Sequence, residues 1–183
     1  MTTGLVLVLG AAGAGTAPQA VKETLTARAT LTTAGGATAS VPITIVVSRT
    51  TSEDEARKLI AALETGGGRA LHAALVGVAP TGSVRIWNRT EVPTRMSLER
   101  RTDKGRLLTI VTDQPLLFVG AALPDAKNRA GYDFAVIDIE VDDAGRGSGT
   151  LAPAATIRAS GTAVTVADYG SEAVRLVDVT RAK

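Results

Sequence analysis

Apolar and polar residues alternate along most of this chain, the period of strands with one face buried. Within 23–47, Leu25, Ala27, Ala29 and Leu31 fall on one face and Thr24, Thr26, Arg28 and Thr30 on the other. A Gly-Gly pair at 35–36 interrupts the pattern, and a β-branched run follows at 41–47, so the two segments read as a hairpin. Further strands are predicted at 84–87, 96–100, 107–111, 116–119, 134–142, about 148–157, 162–166 and 174–180. The turn sequences around Lys104-Gly105 and Ala144-Gly145 join neighbouring strands tightly, which favours antiparallel pairing. A polar loop is expected at 124–131.

One region breaks the period. Ser52 is followed by Glu53, Asp54 and Glu55, and then by Ala56, Leu59, Ile60 and Leu63. The hydroxyl of Ser52 can cap the third amide of a helix while Glu55 reaches back, and early acids suit the helix dipole. The apolar spacing makes one helical stripe. Gly66-Gly67-Gly68 reads as its end, and 69–75 as a second short helix, which together make a helical hairpin at about 52–76. The expected fold is therefore mainly β (α+β): an antiparallel β sandwich or barrel of about nine or ten strands, with one helical hairpin packed on it.

The N-terminal segment differs from the rest. Residues 1–21 carry no charged side chain, and an apolar block at 4–14 runs into small residues, with Ala12-Gly13-Ala14 as an A-x-A cleavage sequence. This is the form of a signal peptide and too short for a membrane-spanning helix. Residues 1–20 are accordingly assigned to export and 21–183 to a single β-rich domain. A rival reading makes 5–9 a buried strand and Gly10, Gly13 and Gly15 a phosphate-cradling turn of a cytosolic nucleotide-binding protein. That motif requires a following helix and a second strand. The sequence offers Pro18 and threonine-rich alternation instead.

Composition narrows the chemistry. A length of 183 residues fits one domain, and 45% hydrophobic with 21% charged residues is ordinary for a globular chain. The net charge of +2 and 3% aromatic content argue against a nucleic-acid partner. The absence of cysteine excludes disulfides and thiolate chemistry. Arginine far outnumbers lysine and alanine is abundant, as in a GC-rich bacterial genome. The expected location is periplasmic or secreted, with no transmembrane segment in the mature protein and no cofactor.

Several stretches together resemble a family of small uncharacterised secreted bacterial proteins. They are 41–45 with 52–63, then 107–115, 134–149 and 169–176. The resemblance implies export and assigns no catalytic residue.

Four groups of residues carry possible chemistry. Asp138, Glu140 and Asp142 alternate with Ile137, Ile139 and Val141, which puts three carboxylates on one face of a strand. They are calcium candidates, and Asp138 and Glu140 are candidates for acid–base catalysis, against the plainer reading of a solvated face. His72, the only histidine, is a candidate general base or a helix-surface residue. Arg95, Arg100, Arg101, Lys104 and Arg106 form a basic cluster, read as a charged strand edge that discourages aggregation. Trp87, flanked by Arg85 and Arg89, is expected as a core anchor, with a binding surface as the alternative. The leading functional expectation is a non-enzymatic exported binding or envelope-associated module, whose partner is a small apolar ligand inside a barrel or an envelope component. The alternatives are a hydrolase or lyase built on the carboxylate row, or the nucleotide-binding protein using Gly10 to Gly15.

Overall fold

A computed structural model describes residues 20–32, 35–118, 131–170 and 173–182. The expected export segment and the Gly10–Gly15 turn lie outside the described residues, as does nearly all of the loop expected at 124–131. The described chain forms β1 (Ala20–Thr32), β2 (Thr38–Arg49), α1 (Glu53–Val76), β3 (Gly82–Ile86), β4 (Val92–Thr102), β5 (Gly105–Thr112), β6 (Phe134–Val141), β7 (Arg146–Ser160), β8 (Ala163–Tyr169) and β9 (Val174–Arg181).

All pairings are antiparallel, in the order β6-β5-β4-β3-β2-β1-β9-β7-β8. A further β6–β7 pairing closes eight of these strands into a barrel and leaves β8 as an extra strand on β7. The closing strand has a specific construction. The first part of β7 pairs with β9 as far as Leu151–Val174, and from Ala155–Tyr169 onward it pairs with β8. Pro153 lies between these two stretches and has no N–H to give a ladder. Its carbonyl accepts from the Leu116 amide at 2.8 Å. Beyond Ala155, its last partner position on β6, β7 leaves the barrel and carries β8 outward.

The barrel interior is filled by side chains. Leu25, Ala29 and Leu31 of β1, Ile43 and Ile45 of β2, Leu108 and Ile110 of β5 and Ile137 and Ile139 of β6 belong to one buried apolar cluster. The large cleft described below lies on the outside of the barrel. A second cluster lies between α1 and the outer wall: Leu59, Ile60, Leu63, Leu71 and Leu75 pack with Met96, Val111, Phe134 and Val136. Strands β5, β6 and β7 are thus covered on both faces over part of their length. This explains why 108–112, 134–137 and 151–155 are buried at every position instead of alternately.

The helical segment expected at about 52–76 is Glu53–Val76, and it divides within the glycine run as expected: Gly67, with φ of 65° and ψ of −162°, leaves helical geometry and separates two helices across a kink. One local expectation is corrected. Leu116 and Phe118 make no strand; they fold inward onto the barrel core.

Candidate functional site

The start of α1 is fixed from three directions. The capping box forms: Ser52 Oγ accepts from the Glu55 amide at 3.3 Å, and Glu55 Oε2 accepts from the Ser52 amide at 3.0 Å. Arg49 Nη1 donates to Glu55 Oε2 at 2.8 Å. Burial pushes the Glu55 carboxyl up, but the Arg49 and Ser52 hydrogen bonds outweigh it and hold Glu55 below its ordinary range. Thr51 donates from its amide to the Ser97 carbonyl at 2.8 Å and accepts from the Ser97 amide on Oγ1 at 2.9 Å, which ties the helix entrance to β4.

Held there, α1 forms one bank of a groove whose other bank is the β7–β8 turn and the start of β8. The groove has a volume of about 840 Å³ and is floored by Leu98, Leu107, Thr109 and Asp138. Such a volume lies within the usual range for small-molecule sites. Register explains the floor. Asp138 on β6 lies directly across from Thr109 on β5, and the Thr109 hydroxyl donates to Asp138 Oδ1 at 2.6 Å. The second oxygen, Oδ2, meets no donor among the described residues. Burial pushes the Asp138 carboxyl up from its ordinary value, and the Thr109 bond draws it only part of the way back. In the bank, the Thr165 hydroxyl is buried without a hydrogen-bond partner among the described residues.

The carboxylate row does not act together. Asp138 lies in the groove, while Glu140 is half-buried further along β6 and does not line it. Asp142 serves the β6–β7 turn, where its Oδ1 accepts from the Arg146 amide at 2.8 Å. Successive residues on one face of a strand are separated by about 6.5 Å, whereas calcium needs its oxygens at about 2.3–2.6 Å from one centre. No group of three or more histidine or carboxylate side chains among the described residues is placed to hold a metal. The calcium expectation for Asp138, Glu140 and Asp142 is therefore withdrawn.

His72 belongs to a different place. Its Nε2–H donates to the Asp113 carbonyl at 2.9 Å, and its ring stands edge-on to Phe134 with centroids 6.1 Å apart. It borders a separate cleft with Arg69, Asp133 and Thr156, so it does not join Asp138. Trp87 is not a core anchor. It follows β3 in a turn, 55% exposed with a φ of 49°, held by its amide donating to the Pro42 carbonyl at 2.7 Å. Arg85 and Arg89 are exposed near it in sequence.

The basic cluster also divides. Arg95 bonds Asp113 at 2.8 Å, Arg106 reaches Glu23 at 2.6 Å, and Arg101 approaches only the exposed Asp143, at 3.9 Å. In a closed barrel β4 and β5 have neighbours on both sides, so the expected charged edge does not exist. Sequence reading missed the groove, together with Thr109 and Thr165. The cross-strand partner of Asp138 is set by register, which the period of one strand does not carry.

Fold and site together define a closed antiparallel barrel with an external helix and a lateral, acid-floored groove. No protein-family model, curated protein or solved structure matches the chain.

Proposed function

We propose that this is an exported bacterial binding protein without catalytic activity, and that its ligand occupies the groove between α1 and β8. The observation that carries the reading is Asp138: a half-satisfied carboxyl between Leu98 and Leu107 on the floor of a drug-sized cleft. A cleft of this volume that joins apolar surface to placed polar groups is the usual form of a binding site. Export is supported by the uncharged N-terminal segment with its Ala12-Gly13-Ala14 sequence, and by the resemblance to secreted bacterial proteins. The ligand is a small, partly apolar molecule or envelope component of a size for the groove, placed outside the barrel instead of in its lumen.

A hydrolase or lyase using Asp138 is the second reading, favoured by the upward-shifted carboxyl in a cleft. It is weakened by the separation of His72 and Glu140 from the groove.

Two measurements test the proposal. Fractionation of the native host with N-terminal sequencing should find a mature chain beginning between Gly15 and Val21 outside the cytoplasm; a full-length cytosolic chain would overturn export. A thermal-shift screen of small molecules should give ligands that lose binding in Ala61→Trp, which places an indole over the groove. Ligands that bind this variant as well as the parent protein would place the site elsewhere.

A further inference from the structure

We infer that the ligand of this groove carries a protonated amine on an apolar body, with the ammonium at Asp138 Oδ2. The inference rests on the groove being the binding site and adds the chemical class of what enters it.

Charge is the first argument. The ionisable residues lining the groove are Glu53, Glu64, Glu99 and Asp138 against Arg57 and Arg100. Both signs are partly spoken for elsewhere: Arg57 pairs with Asp54, and Glu99 accepts from Arg106 at 3.0 Å. Asp138 itself pairs with no cation among the described residues. A half-buried carboxylate with one hydrogen bond has lost water without gaining a counter-charge. An anionic ligand would add repulsion. A neutral hydroxyl would supply a donor and leave the charge uncompensated. An ammonium supplies both, with three donors and a charge-assisted bond.

The second argument is the Thr165 hydroxyl, buried in the opposing bank with no hydrogen-bond partner among the described residues. A rotation that brings it into the groove would offer its oxygen as an acceptor to a ligand N–H. The third is the rest of the lining. Ile60, Leu98, Leu107, Ala163 and Val164 give an aliphatic body a surface to cover. Among the described residues the lining carries no aromatic side chain, so a flexible alkyl body fits better than a quaternary head that needs an aromatic cage.

The test uses the full chain, isotope-labelled, titrated at neutral pH with hexylamine, hexanol and hexanoate, with binding read from NMR shifts of the groove residues. Hexylamine should bind about tenfold more tightly than hexanol, in keeping with the greater strength of charge-assisted hydrogen bonds. Hexanoate should bind weakest. Asp138→Asn should bring hexylamine down to the affinity of hexanol while leaving hexanol unchanged, and the hexanol titration reports that the groove is still formed. Thr165→Val should weaken hexylamine alone, by a few-fold. Affinity for hexylamine should also fall on acidification, as Asp138 gains its proton. Equal binding of hexanol and hexylamine, or a hexylamine affinity that neither substitution nor acidification changes, overturns the amine and leaves the groove as the site. Failure of all three probes to shift groove resonances at millimolar concentration overturns the groove reading itself.

Discussion

Arg106 is the residue whose removal most sharply tests how this barrel is held together. It lies on the inward face of β5, two residues before Leu108, and its side chain is only 13% exposed. Across the lumen Glu23 of β1 is 6% exposed, and Arg106 Nη2 donates to both of its oxygens, at 2.6 and 2.5 Å. Nη1 donates to Glu99 at 3.0 Å, and Arg181 approaches Glu23 at 3.7 Å. Burial works against the Arg106 charge, but the bonds to Glu23 and Glu99 outweigh it and hold its pKa above the ordinary value. An exposed pair would be worth about 1 kcal/mol or less. Here Arg106→Met strands Glu23 inside the barrel, and breaking a buried pair costs about 3–5 kcal/mol. Arg181 offers partial compensation, which favours the lower figure. For a chain of 183 residues, about 3 kcal/mol corresponds to a fall in Tm of about 6–12 °C. The double variant Arg106→Met/Glu23→Leu removes both charges and should recover most of that loss, since apolar replacement of a buried pair is often neutral or stabilising. Urea denaturation of the parent, both single variants and the double gives the coupling directly. A single-variant cost below about 1 kcal/mol, or a double variant whose loss equals the sum of the singles, would refute the buried network.

Asp138 makes the opposite kind of prediction. Folding raises its pKa, so the folded protein holds that proton more tightly than the unfolded chain does. Stability therefore falls as pH rises from the ordinary aspartate range through the raised value, and the penalty persists above it. Asp138→Asn should stabilise the protein at neutral pH and flatten that part of the stability–pH curve, by at most about 1.4 kcal/mol per pH unit; a variant less stable than the parent at neutral pH would contradict the reading. On α1, Leu71→Ala empties a fully buried position and should cost about 2–5 kcal/mol, whereas Val76→Ala, at 57% exposure, should stay within about 0.5 kcal/mol. Equal effects in thermal melts would mean that the helix is not seated on the wall as described. The single tryptophan should emit as an exposed indole and be quenched by acrylamide in the native state almost as readily as in denaturant; a blue-shifted, protected emission would put Trp87 back in the core.

Local order was legible in the sequence to the extent that it depends on local chemistry. The capping box at Ser52 and Glu55, the β1–β2 alternation and the β4–β5 turn form as their residues dictate. The glycine run marks the division between two helices, and the break falls on Gly67, whose positive φ glycine adopts at no steric cost. Trp87 misled because its apolar bulk argues for burial, while its position after the last paired residue of β3 places it in a turn. The choice between sandwich and barrel was not legible, since it rests on β6 pairing with β7 as well as with β5. The carboxylate row was placed on one face correctly by its period. What each member does is decided by its cross-strand neighbour: Thr109 for Asp138, and the Arg146 turn for Asp142.

The groove follows from a mismatch in strand length. Strand β7 has 15 residues, and its pairing with β9 ends at Leu151. Its pairing with β6 shifts register between Phe134 and Val136, opposite the stretch that contains Pro153. Strand β9 begins at Val174, the partner of Leu151, so β7 beyond Leu151 has outrun β9. The remainder of β7 pairs with β8, the returning arm of its own hairpin, and builds a bank outside the closed wall; Pro153, with no N–H to give, falls in the gap between the two pairings. Helix α1, capped and tied to β4 at its entrance, supplies the facing bank. Between them the outer face of β5 and β6, which would otherwise be covered or fully solvated, is partly withdrawn from water, and that is where Asp138 lies. Withdrawal from water raises the carboxyl, and the same withdrawal makes a matching cation worth more there than on the open surface. On the proposed reading, recognition would then use the outside of the barrel and leave the buried apolar cluster of the interior to hold the fold.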